Sequence, residues 1–128
     1  MDAAAKADSA LAKGASLGPL HGIPVTIKDL EPVRGMPFEG GTYLRKGDIA
    51  PSDNAVVTRL RNAGAIILGK TTTPEFGWKA LTDSPLQGTT RSPWHLGHTP
   101  GGSSAGPAAA SLSGHPDRSA LRCGDPDG

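Results

Sequence analysis

The sequence predicts an α/β fold, and three observations carry that prediction. Residues 23–28 alternate apolar and polar side chains, the two-residue period of a half-buried strand. Residues 65–69 read Ala-Ile-Ile-Leu-Gly, a short continuous apolar run of the kind buried on both faces of a sheet. A helical stripe lies between them, so strand, helix and strand follow one another as in a β-α-β unit.

Each element has a local cause. Residues 2–13 are Ala-rich and precede Gly14, which reads as a helix with a glycine stop. Gly18-Pro19-Leu20-His21-Gly22 is turn-like. In the first strand Ile23, Val25 and Ile27 share one face, and Thr26 and Lys28 the other. Pro24 suits a strand start or an edge. Residues 31–50 form a long Gly-containing loop, a length that is often functional. Ser52 or Asp53 is placed to cap a helix running through Asn62, with Val56, Leu60 and Ala63 as its buried stripe and Gly64 at its end. Residues 71–77 read as a turn, and Trp94 reads as a core plug. Ser104 is placed to cap a helix that begins near Pro107.

Composition sets the bounds. With 128 residues the chain is one domain at most, or part of one. It holds 18 Gly and 12 Pro, which makes it loop-rich and dependent on neighbours for burial. A net charge of +1 gives no electrostatic reason to expect nucleic acid or a membrane as partner. The single Cys123 and the absence of an apolar signal core point to a cytoplasmic protein. The four histidines lack metal-ligand spacing, and no residue cluster implies a metal or an organic cofactor.

The candidate site is the run Pro100-Gly101-Gly102-Ser103-Ser104-Ala105-Gly106. Two serines among small residues permit close backbone approach. Linker, phosphate cradle and serine-based catalytic loop all fit such a run. No lysine follows the glycines as a nucleotide-binding loop requires. The run leads directly into residues 107–110, so it is a loop-to-helix junction rather than a linker.

Five segments, in order, carry a family resemblance. They are residues 18–29 (GPLHGIPVTIKD), 63–71 (AGAIILGKT), 73–77 (TPEFG), 92–94 (SPW) and 100–106 (PGGSSAG). Together they resemble the amidase signature family from about residue 17 to residue 110. The resemblance implies an α/β/α sandwich with a mixed sheet, of which this chain is the N-terminal part, and hydrolysis of carbon–nitrogen amide bonds by a Ser-Ser-Lys triad. It implies that Lys28 is the catalytic lysine and Ser103 the bridging serine, with a cis peptide bond before Ser103. Gly101, Gly102 and Ser104 form the supporting loop. A small-molecule amide is the implied substrate. The family also includes the amidotransferase subunit that frees ammonia from glutamine; Lys28-Asp29-Leu30 followed by Glu31-Pro32-Val33 looks closer to the general amidases.

The chemistry accounts for these residue types. A serine hydroxyl attacks poorly until a base takes its proton. Lysine is a base only when neutral, and burial favours the neutral amine. A second hydroxyl accepts and donates at once, so it relays a proton.

The third triad member has no counterpart. The family nucleophile lies on a Gly-Thr/Ser-Asp-x-Gly-Gly-Ser element, and nothing after residue 110 matches it. Ser111, Ser113 and Ser119 stand in a different context. Residues 111–128 therefore read as an irregular tail outside the family pattern, as a shifted reading frame would produce. The expectation is a chain of amidase ancestry that is inactive alone. The alternative is a non-catalytic fragment, acting as a binding or interaction module or without function.

Overall fold

The computed structural model describes residues 2–112 and 121–122. Helix α1 spans Asp2–Ala12, strand β1 Pro24–Lys28, helix α2 Ala55–Asn62 and strand β2 Ile66–Thr71. Strands β3 (Asp83–Ser84) and β4 (Gly88–Thr89) form a short antiparallel hairpin. Helix α3 covers Ala105–Leu112, and β5 covers Leu121–Arg122.

The main sheet has the order β1-β2-β5. β1 and β2 are parallel, from Pro24 opposite Ile66 to Lys28 opposite Thr71, with a register shift between Val25 and Thr26. β5 runs antiparallel to β2, so the sheet is mixed. β5 lies in the stretch read from sequence as irregular. An open strand edge offers unpaired backbone groups to any segment that reaches it. Pro24 begins an edge strand, where its missing N–H costs no ladder bond.

The two faces of β1 separate as the alternation requires. Ile27 is buried with Val33 and Val57, and Val25, Met36, Leu60 and Ile67 pack around them. Val57 brings α2 onto this face. α3 packs on β1 and β2. Thr26 and Leu68 from the sheet and Pro107 and Ala110 from α3 line a groove of about 570 Å³. Helices thus flank the sheet in the α/β manner. No helix among the described residues is long and apolar enough to cross a membrane.

Several details differ from the sequence reading. The cap of α2 is Asn54, whose side chain accepts from Val57 N at 2.8 Å. Asp53 instead accepts from Arg34 N at 2.7 Å and Arg61 Nε at 2.9 Å, and those bonds hold its carboxyl below its usual pKa. Because the helix starts later, Val57 rather than Val56 faces the core; Val56 is exposed. β2 continues through Thr71, and its Leu68 is exposed, so the strand is not buried on both faces.

Trp94 is 77% exposed, not a core plug. Residues 92–98 fold on themselves, with Ser92 N donating to His98 O and His95 N to Ser92 O, and the indole is left outside. The loop at 31–50 is ordered by a 3-10 turn at Tyr43–Arg45 and a bridge between Pro37 and Ile49.

Candidate active site

Lys28 ends β1 on the face of Thr26, and this direction aims it at the N-terminal end of α3. Its Nζ lies 3.1 Å from Ser103 Oγ and 3.4 Å from Ser104 Oγ. The structure therefore brings Lys28, Ser103 and Ser104 together, with 75 positions of sequence between the lysine and the first serine. Partial burial lowers the pKa of Lys28 below its ordinary value, and the charge of Glu31 opposes that shift.

The glycines allow the loop its path. Gly101 has φ +90°, a left-handed conformation that a side chain resists. Its N–H donates to Thr99 Oγ1 at 3.1 Å. Gly102 is exposed, and its carbonyl accepts from Thr82 Oγ1 at 2.8 Å. Gly106 seats α3 against the end of β2, where a Cβ would come within 2.5 Å of the Thr72 carbonyl oxygen. Ser104 directly precedes α3, and its carbonyl accepts from Ala108 N at 3.2 Å.

One expectation is corrected. Every peptide bond among the described residues is trans, including that before Ser103. The cis form costs about 2.5–4 kcal/mol without proline. It persists only where packing over-determines it, and Gly102 and Ser104 are exposed here.

Sequence reasoning missed the polar cluster behind Lys28. Lys70 Nζ and Asp29 Oδ1 lie 3.4 Å apart, with both side chains 1% exposed. Lys70 also donates to the carbonyls of Glu31 at 2.6 Å and Pro37 at 3.0 Å. Asp29 accepts from Glu39 N at 3.3 Å and Gln87 Nε2 at 2.7 Å. Burial pushes Asp29 up and Lys70 down, and each partner's charge opposes the shift. The available signal was the polar run Lys70-Thr71-Thr72-Thr73 directly after an apolar strand: all four are buried.

The arrangement is an amine, two hydroxyls and backbone groups. That set suits proton transfer between lysine and serine, not the holding of a divalent cation by carboxylates or imidazoles.

The sheet thus ends in a lysine that faces a Gly-Gly-Ser-Ser loop. The chain belongs to the amidase family, whose model, described as Amidase, matches residues 1–113. It is 47% identical over 114 residues to an indoleacetamide hydrolase of Bradyrhizobium diazoefficiens, covering 89% of this chain and 22% of that protein. It is 50% identical over 101 residues to an acylamidase of Rhodococcus erythropolis, covering 79% and 21%. Among solved structures, the peptide amidase of Stenotrophomonas maltophilia superposes with a TM-score of 0.77 at 38% identity, over 85% of this chain and 23% of that one. The chain thus spans about a fifth of the length of the curated relatives it matches.

Proposed function

We propose that this chain carries the lysine-serine half of an amide-hydrolysing centre, with Lys28 as base and Ser103 as proton relay. The observation that carries the reading is the 3.1 Å approach of Lys28 Nζ to Ser103 Oγ. Neutral Lys28 accepts the Ser103 proton, and Ser103 in turn accepts the proton of the attacking hydroxyl. Gly101, Gly102 and Ser104 shape the loop. The attacking serine and the oxyanion donors belong to a second Gly-Gly-Ser element, on the Gly-Thr/Ser-Asp-x-Gly-Gly-Ser pattern, which has no match downstream of Gly101-Gly102-Ser103 in the 128 residues. The substrate class is a small-molecule amide, the setting cytoplasmic, and family-type sequence runs to about residue 110.

The test has two arms. The 128-residue chain, assayed on simple aliphatic and aryl amides, shows no turnover that Lys28→Ala abolishes. Residues 1–110, exchanged for the matching segment of the Bradyrhizobium indoleacetamide hydrolase, support hydrolysis that Lys28→Ala and Ser103→Ala remove. A chimera whose activity survives both substitutions overturns the reading.

A further inference from the structure

The β3–β4 hairpin and its flanking Thr82 bond to the chain neighbour of each member of the Lys28–Ser103 pair. At its base, Thr82 Oγ1 donates to the carbonyl of Gly102, the residue directly before Ser103, at 2.8 Å. At its turn, Gln87 Nε2 donates to Oδ2 of Asp29, the residue directly after Lys28, at 2.7 Å.

The hairpin is itself braced. Thr90 N donates to Thr82 O at 2.9 Å, and Gln87 N to Ser84 Oγ at 2.9 Å. Two bonds fix it to the segment that follows β2: Thr73 N donates to Gln87 Oε1 at 3.0 Å, and the hydroxyls of Thr72 and Thr90 lie 2.7 Å apart. Thr72, Thr82 and Thr90 are buried, so these bonds face little competition from water.

We infer that Thr82 and Gln87 are positioning residues that set the separation between Lys28 and Ser103. The inference rests on the proposed role of that pair. Proton transfer requires hydrogen-bond reach, and a displacement of about 1 Å costs about a hundredfold in rate. A strut fixed to the neighbour of each member holds that reach; a hairpin that merely satisfied its own backbone would not need to grip both.

A thiol reports the separation. Ser103→Cys in a Cys123→Ser background leaves a single thiol in the chain. A lysine ammonium beside it stabilises the thiolate, and the pH midpoint of its alkylation by iodoacetamide falls about one to three units below the ordinary ~8.5. Adding Lys28→Met returns the midpoint to ~8.5. Adding Thr82→Val or Gln87→Leu moves it most of the way back, whereas Thr82→Ser, which keeps the hydroxyl, leaves it low. Val57→Ala weakens the core without touching the hairpin, and leaves it low as well.

The outcomes separate the two claims. If Lys28→Met has no effect, the pair itself is wrong and the inference falls with it. If Lys28→Met raises the midpoint but Thr82→Val and Gln87→Leu do not, the pair stands and the strut is overturned. A rise with Val57→Ala equal to that with Thr82→Val also overturns it, because loss of stability alone would then suffice.

Discussion

Lys70 Nζ and Asp29 Oδ1 approach to 3.4 Å in the interior, where Asp29 directly follows β1 and Lys70 stands opposite Ile27 in β2. Removing one member of a buried pair strands the other's charge, at a cost of about 3–5 kcal/mol. Lys70→Met is expected to destabilise the chain by that amount, read as a lower urea midpoint in circular dichroism at unchanged slope. An unchanged midpoint would show that Glu39 N and Gln87 suffice for Asp29.

Gly106 is the contact point of α3 with the end of β2. A methyl group there meets both the Thr72 carbonyl and its hydroxyl, at 2.5 and 2.6 Å. Backbone cannot swing aside as a long side chain does. Gly106→Ala is therefore expected to cost about 1–3 kcal/mol. It also displaces the Ser103–Ser104 loop, so the Lys28 amine moves toward solvent and its titration toward the ordinary lysine range. Thermal denaturation and Lys28 labelling measure the two effects on one sample.

Asn54, not its polar neighbours, holds the first turn of α2. Asn54→Ala is expected to cost about 0.5–2 kcal/mol. Ser52→Ala is expected to change stability by less than about 0.5 kcal/mol, the range of ordinary surface substitutions. Equal losses in a urea titration would return the cap to the earlier position.

Activity in the chimera should follow the protonation of Lys28. The base is the neutral amine, whose fraction grows as pH rises through its pKa. Burial lowers that pKa, so kcat/KM is expected to rise with pH and level off below the ordinary lysine value of ~10.4. A rate already level at about pH 6, well below any lysine titration of this kind, would assign the base to another group.

The parts of this molecule that are legible in sequence are those with local causes. Alternation over residues 23–28 placed Ile27 in the core and Lys28 on the opposite face, and one apolar run located β2. The Gly-Ser loop was recognisable because its residue types are rare together. The α2 cap was misplaced because Ser52, Asp53 and Asn54 are all competent caps, and tertiary bonds from Arg34 and Arg61 occupy Asp53. Asp29, Lys70, Gln87 and Thr82 carry no local pattern. Their meaning arises when separate segments meet, and a buried lysine looks like a surface one until its partners are known. Trp94 failed in the opposite sense: its size suggested burial, but the fold of residues 92–98 turns it outward.

The most direct test is the pH profile of acetylation at Lys28, measured by mass spectrometry beside the exposed Lys6, Lys13 and Lys46 of the same chain. A desolvated amine lodged against two serine hydroxyls should react with a midpoint clearly below the ordinary lysine value, because its neutral form persists to lower pH. A Lys28 profile centred at the ordinary lysine value of ~10.4 would mean that the amine stands in open water, and would contradict its place in the site.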